Sequence, residues 1–275
     1  MTAHRPPQGQ RLRFADAREA ADLAAFLARL IHYDRAAAVR LQSGGGVLAV
    51  FGRPPSFEVL AVRTARLAWG DGLDVTVSAG RLADALDAAA AEGPAAGEPG
   101  AGELEVGVPE AVTGPPWAGV LPPRGGWRRL AGLPDAATAL AAVAAAVAEF
   151  RARDEALPEQ RRTRAERDRI GREIWSRTLG DTPLPLRAVH AAQSLGFLRP
   201  VRGAAPAPAA VAASRSGTAT AATAVAPAPP EPLALFAARG WLRLRTPYGS
   251  VAVRTGGMTG LPVAAAHQAP GPRHT

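Results

Sequence analysis

Three apolar runs in residues 36–64 constrain the fold more than any other part of the chain. Ala37, Val39 and Leu41 alternate with their neighbours, which is the period of a strand with one buried face. The run 47–51 is apolar at every position and predicts a central strand covered on both faces. Residues 57–64 are rich in β-branched and aromatic side chains. We therefore predict an antiparallel meander over about 36–64, although a helix over 57–67 also fits the third run.

Helical periodicity surrounds this meander. Ala20, Leu23, Leu27 and Leu30 share one face of an amphipathic helix over 17–32, which we expect to lie across the sheet. Further helices are predicted over about 74–91, with Asp74 as the cap or a strand at the start, and over 134–157, 159–179 and 186–195. The fold class predicted is α+β, a short antiparallel sheet covered by amphipathic helices.

The C-terminal part carries a second β signal. Residues 233–239 are expected to form a short helix, and 241–254 alternate apolar and polar residues around a turn at 247–249, which predicts a hairpin. A lone two-stranded hairpin is marginally stable in water. We therefore predict that this hairpin packs back on the body.

These patterns divide the chain into six parts. We predict a disordered N-terminus over 1–13, an α+β core domain over 14–157, an arginine-rich helical extension over 158–200, an Ala/Pro/Thr-rich linker over 203–232, a docking helix and hairpin over 233–255, and a disordered tail over 256–275.

The basic residues of this chain are all arginine, since the sequence contains no lysine, and the excess of Arg, Ala, Gly and Pro predicts a GC-rich bacterial genome. The charge is nevertheless uneven: residues 1–157 hold 16 Arg and 18 acids, net −2, whereas residues 158–275 hold 16 Arg and 6 acids, net +10. Such asymmetry fits either an anionic partner for the second half or a solvated arginine-rich surface.

The chain has no cysteine, which excludes disulfides and thiol chemistry. The N-terminal residues lack the apolar core of a signal peptide, and no stretch is apolar enough for a membrane span. We expect a cytoplasmic protein without a membrane partner.

Ten residues are candidates for contact with an anion or a nucleic acid. They lie in the predicted arginine-rich helix and in the predicted hairpin: Arg161, Arg162, Arg164, Arg167, Arg169, Arg172, Trp241, Arg243, Arg245 and Arg254. The arginines would contact phosphates, and a tryptophan would stack on a base. Intrahelical pairs with acids provide the alternative, in which the helix is simply a solvated surface.

Function is less constrained than fold. The sequence shows no catalytic, cofactor-binding or metal-binding motif, and only dispersed groups such as His32, Asp34 and Asp71 offer acid–base chemistry. Our first hypothesis is a non-enzymatic interaction or regulatory protein with a protein partner. The alternatives are a nucleic-acid-binding protein that uses 159–179 and 241–254, and an enzyme of unknown reaction.

Overall fold

The computed structural model describes residues 10–93, 102–198 and 233–255. Its strands are β1 (Arg11–Phe14), β2 (Ala38–Gly44), β3 (Val47–Gly52), β4 (Leu60–Trp69), β5 (Asp74–Ser78), β6 (Leu104–Gly107), β7 (Arg128–Leu130), β8 (Ala234–Ala238), β9 (Trp241–Thr246) and β10 (Gly249–Arg254). Its helices are α1 (Ala17–Tyr33), α2 (Ala79–Glu92), α3 (Ala136–Glu155), α4 (Arg164–Trp175) and α5 (Leu186–Ser194). The predicted α+β class is confirmed.

All ten strands join one sheet in the order β5-β2-β3-β4-β10-β9-β8-β7, with β1 pairing β4 and β6. The meander is confirmed, since β2, β3 and β4 pair in succession and antiparallel. The predicted docking of the hairpin is confirmed as well, because Ser250 of β10 lies opposite Val62 of β4. The hairpin therefore continues the main sheet instead of packing on its face.

Strand β4 changes partners along one edge. β10 pairs with Leu60, Ala61 and Val62, whereas β1 pairs with Leu67 and Trp69. The stretch between these pairs, residues 63–66, faces neither strand on that edge. The sheet therefore splits beside the middle of β4.

The helices lie on one face of the sheet, called the helical face below. Helix α1 begins at the Asp16 cap and buries the predicted stripe that includes Leu23, Leu27 and Leu30. Helix α5 packs on β9 and β10, and α3 and α4 form a further layer on α5. In the described residues, no helix is both long enough and apolar enough to cross a membrane.

Two predictions about the ends of the fold were wrong. The segment 233–239 is not a helix, because it contains β8, whose Leu235 faces Leu244 of β9 in the core. A short apolar run is compatible with a helix or a strand, and this one forms a strand because it pairs with the edge of β9. The prediction of a disordered N-terminus over 1–13 is wrong for residues 11–13, because they belong to β1, which pairs with β4 and β6 and buries Leu12.

Three further expectations are corrected. The run 47–51 is not covered on both faces, since Leu48 and Val50 are buried while Val47 is exposed. Asp74 does not cap a helix: it begins β5, the alternative considered for this segment, and Ser78 caps α2. The segment 159–179 is not one helix, because a short 3₁₀ turn precedes α4, which starts at the cap Thr163.

The division into domains stays a prediction. The predicted linker 203–232 and the predicted tail 256–275 lie outside the described residues.

Candidate anion-binding site

The arginines predicted as anion contacts fall into two groups, of which the first belongs to α4 and the turn before it. Arg161 and Arg169 both contact the carboxylate of Glu166, at 2.9 and 2.7 Å. The hydrogen bond from Arg169 lowers the pKa of Glu166 below its usual range. Arg167 contacts Asp154 of α3 at 2.7 Å. Each of these three arginines is therefore paired with a carboxylate of the chain itself, and Arg161 and Arg169 share the one of Glu166.

The other arginines of this group differ in their contacts. Arg164 lies 3.8 Å from Asp168, within the same helix. Arg162 donates hydrogen bonds to two backbone carbonyl oxygens, those of Glu155 and Leu157, and so ties down the loop after α3. Arg172 is exposed and pairs with no acid of the described residues. Contact of this group with an anion remains a prediction.

The second group lies on β9 and β10. Along β9, Leu242 and Leu244 are buried toward the helices, so that Trp241, Arg243 and Arg245 point to the opposite face, called the outer face below. Helix α4 is on the helical face, separated from the sheet by α5. The two predicted groups of arginines therefore do not converge on one surface.

Trp241 is not open for stacking. It is only 7% exposed and packs with Leu60 and Ala252 beneath a cover formed by Trp117, Leu121 and Trp127. The guanidinium of Arg254 lies 5.3 Å from the centroid of the Trp241 ring. A nucleobase could reach this ring only by displacing the cover.

Beside the cover, the split in the sheet opens a groove of about 310 Å³, whose lining includes Glu19 of α1 and the outer-face residues Arg243 and Arg245. We call it the sheet cleft. Its polar lining comes from four elements that the order β4-β10-β9 and helix α1 bring together. The polar lining residues are Glu19, Arg63, Thr64, Arg66, Arg243, Arg245, Thr246 and Ser250.

Two of the cleft arginines have carboxylate partners of their own. Arg66 donates from Nε to Glu19 at 2.8 Å, and this hydrogen bond raises the pKa of Arg66. Arg63 contacts the carboxylate of Asp22 at 2.8 Å and also donates to the backbone oxygen of Tyr248. Since Tyr248 lies in the β9–β10 turn, Arg63 links α1, β4 and the hairpin.

Arg243 differs from Arg63 and Arg66 in the groups that it contacts. Its Nε donates to the hydroxyl of Ser250 at 2.9 Å, and its guanidinium lies 5.9 Å from the centroid of the Trp127 ring. No carboxylate of the described residues forms an ion pair with it. Burial, and to a lesser extent the charge of Arg245, lower the pKa of Arg243. The cleft thus holds a half-buried cation without an acidic partner in the described chain.

Three residues that line the cleft, Arg63, Arg66 and Ser250, were missed by sequence reasoning. Arg63 and Arg66 lie in a strand that was recognised, but nothing in their local pattern says that β10 and β1 meet there. Ser250 reaches the cleft through a pairing with Val62, almost two hundred positions away in the chain. Only the register of that long-range pair could have identified them.

The dispersed acid–base groups do not come together. Asp34 lines a cavity of about 470 Å³ with Arg53, Ser78 and Trp117. His32 lines a different cavity, between α1 and Ser194. Asp71 accepts a hydrogen bond from the backbone N–H of Gly46 in a turn. The described residues contain no group of three or more His, Asp or Glu side chains that could hold a metal ion.

Comparison with protein families divides the chain near its middle. Residues 7–119 match a family described as Domain of unknown function (DUF8010), and residues 122–258 match another, described as Domain of unknown function (DUF8185). No curated protein and no solved structure matches the chain. Strand β4 belongs to the first matched region and β10 to the second, so the sheet cleft is built from both.

Proposed function

We propose that this protein is a non-enzymatic interaction protein that binds an anionic partner in the sheet cleft. The observation that carries the proposal is Arg243, a half-buried guanidinium that pairs with no carboxylate of the described residues. A buried charge is costly unless it is paired and hydrogen-bonded. An anion in the cleft would supply the missing partner.

The surroundings of Arg243 favour binding over a purely structural role. The hydroxyl of Ser250 accepts a hydrogen bond from Nε of Arg243, and the guanidinium carbon lies over the ring of Trp127, so the remaining N–H groups of the guanidinium can bind a ligand. Charge-assisted hydrogen bonds from guanidinium to oxyanions are among the stronger polar contacts in proteins. A side chain already held in place pays less entropy when a partner binds.

Two features support this proposal over the alternatives. His32, Asp34 and Asp71 lie in separate places, which supports a binding function over an enzyme. The α4 arginines are mostly neutralised by neighbouring acids, which weakens the case for α4 as a nucleic-acid-binding arm. The absence of cysteine supports a cytoplasmic location as part of the proposal.

The test is the thermal stability of the full chain in sulfate against chloride at equal ionic strength. A ligand that binds only the folded state stabilises it by about 2.7 kcal/mol at 100 times its Kd. For a chain of this size, about 2–4 °C in Tm accompanies each kcal/mol. We expect wild type to gain several degrees from sulfate beyond the gain of Arg243→Gln.

Sulfate also stabilises proteins in general, by exclusion from their surface. The matched control is therefore Arg172→Gln, which removes one exposed arginine of α4. Its Tm should rise in sulfate as much as that of wild type. The rise for Arg243→Lys should lie between those of wild type and Arg243→Gln, because lysine keeps the positive charge but lacks the planar guanidinium. An equal gain in all four proteins would refute the proposal.

A further inference from the structure

We infer that the cavity of about 470 Å³ that Asp34, Arg53 and Trp117 line binds a free amino acid with an apolar side chain. We call it the helix-end cavity, because Asp34 directly follows α1. It shares no described lining residue with the sheet cleft, so the inference goes beyond the proposed function. The described residues that line it all belong to the first matched family region.

Two opposite charges line the helix-end cavity without pairing. Asp34 and Arg53, the residue that follows β3, are both half-buried. No other described lining residue is charged, and neither of the two forms an ion pair with any described residue. A charge that is partly removed from water is unfavourable unless an opposite charge or a hydrogen bond compensates it. Each of the two side chains therefore gains from a ligand group of opposite sign.

This combination of charges selects a ligand that carries both signs. A simple anion would be attracted by Arg53 and repelled by Asp34, and a simple cation would meet the reverse. A molecule with one carboxylate and one ammonium group provides a partner for both side chains. Guanidinium binds carboxylate through two N–H groups, and a carboxylate oxygen accepts hydrogen bonds from an ammonium group.

Asp34 is held in place by the end of α1. Its backbone N–H donates to the carbonyl oxygen of Leu30, and its own carbonyl oxygen accepts a hydrogen bond from the N–H of Ala37 at 3.0 Å. Its Oδ1 accepts a hydrogen bond from the backbone N–H of Ala36 at 2.9 Å. Its other carboxylate oxygen, Oδ2, has no partner among the described residues and can accept from a ligand.

Another wall of the cavity is attached to the edge of the sheet. The backbone N–H of Val112 donates to the carbonyl oxygen of Thr76 in β5 at 2.8 Å. Gly114 lies so close to the sheet that an added Cβ would be 3.1 Å from the hydroxyl oxygen of Thr76. The segment 112–117 is therefore positioned before a ligand binds, which reduces the entropy cost of binding.

Most of the uncharged lining is apolar. It comprises three successive alanines at 36–38 together with Val112, Pro115 and Trp117. A volume of about 470 Å³ lies within the range of small-molecule sites, about 300–1,000 Å³. Burial of an apolar side chain against this lining favours binding. The cavity therefore suits an amino acid with an aliphatic side chain.

Calorimetric titration of the full chain with leucine tests the inference, against two probes that each lack one charge. Leucine amide keeps the ammonium group, and N-acetyl-leucine keeps the carboxylate. At about pH 6.5, where an α-amino group is protonated, we expect leucine to bind about tenfold or more tightly than either probe. Glycine, which lacks the apolar side chain, should also bind about tenfold more weakly than leucine.

Variants assign each charge of the ligand to its side chain. Asp34→Asn keeps an acceptor for the N–H of Ala36, and it should weaken leucine about tenfold without weakening N-acetyl-leucine. Arg53→Gln should weaken leucine to a similar extent without weakening leucine amide. The matched control is Arg35→Gln, at an exposed position next to Asp34 that does not line the cavity, and it should change nothing. Equal affinity for leucine in all four proteins would overturn the inference.

The same probes distinguish a free amino acid from the end of a polypeptide, because leucine amide resembles an N-terminal residue and N-acetyl-leucine a C-terminal one. If either probe binds as tightly as leucine, the assignment to a free amino acid is overturned. If glycine does, the assignment of an apolar side chain is overturned. Arg243→Gln should bind leucine like wild type, so the result is independent of the sulfate test of the sheet cleft.

Discussion

The ring of Phe26 in α1 stacks on the ring of Phe197 after α5, with the centroids 5.5 Å apart and the planes inclined by 30°. Phe26 belongs to the first matched family region and Phe197 to the second. The two regions thus share a hydrophobic core as well as a sheet. They are expected to fold as one cooperative unit.

Replacement of Phe197 tests that unit. Phe197 is 2% exposed, and Phe→Ala in a core costs about 3–5 kcal/mol because transfer free energy is lost and a cavity remains. We expect Phe197→Ala to lower the free energy of unfolding by that amount in urea denaturation, with a single transition. Val120→Ala, at an exposed position, is the control and should change little. Two separate transitions in the variant or in wild type would show that the regions fold independently.

The β9–β10 turn makes a second prediction. Gly249 has a φ of +157°, and a Cβ added there would lie 2.7 Å from the ring of Phe197. Both the backbone strain and the overlap are unfavourable, so Gly249→Ala should cost about 1–3 kcal/mol in thermal or chemical unfolding. Gly125→Ala is the matched control, since a Cβ there meets nothing within 4 Å. Equal stability of the two variants would show that the turn adapts freely.

The third prediction is that the stability of the fold depends on pH through His190. Its ring stacks on Trp175 at 4.4 Å and meets the edge of Phe57 at 5.1 Å, and burial lowers the pKa of His190. The unfolded chain therefore binds a proton more readily than the folded chain, and stability rises with pH in this range. We expect stability to fall as the pH drops through about 6.5, the usual pKa of histidine.

The measurement is urea denaturation from pH 7.5 to 5.5 in wild type and His190→Phe. The phenylalanine keeps an aromatic ring but cannot be protonated, so its stability should fall less over this range. Arg151 is the charged residue among those that line the groove beside His190. The same slope in both proteins would contradict a role for His190.

The arginines of α4 give the fourth prediction. Because Arg169 is paired with Glu166 on the protein surface, Arg169→Gln should leave the affinity for sulfate unchanged, and its stability should stay close to that of wild type. Binding of single-stranded DNA at low salt, followed by fluorescence anisotropy, gives the comparison. A loss of DNA affinity in Arg169→Gln that is absent in Arg243→Gln would favour the nucleic-acid alternative.

Local pattern was sufficient for part of this fold. The stripe Leu23, Leu27 and Leu30 identified α1, and the alternation of Leu242 and Leu244 with arginines identified β9. The segment 233–239 was misread, because a short apolar run carries too little periodicity to distinguish helix from strand. The segment forms a strand because it pairs with the edge of β9.

The candidate site was predictable only in part. Arg243 and Arg245 were singled out because they alternate with buried leucines. Arg63, Arg66 and Ser250 were not, because their role depends on where β4 leaves β10 and joins β1. A pairing between residues so far apart leaves no mark in the local sequence.

The sequence by itself determined the class of the protein, the main amphipathic elements, the absence of thiol chemistry and the concentration of positive charge in the second half. Each of these depends on composition or on a short-range period. Only the tertiary structure decided that Arg167 of α4 is paired with an acid of α3, and that Arg243 is paired with no carboxylate of the described residues. The reason is that charge compensation depends on distance in space, and packing sets that distance independently of separation along the chain.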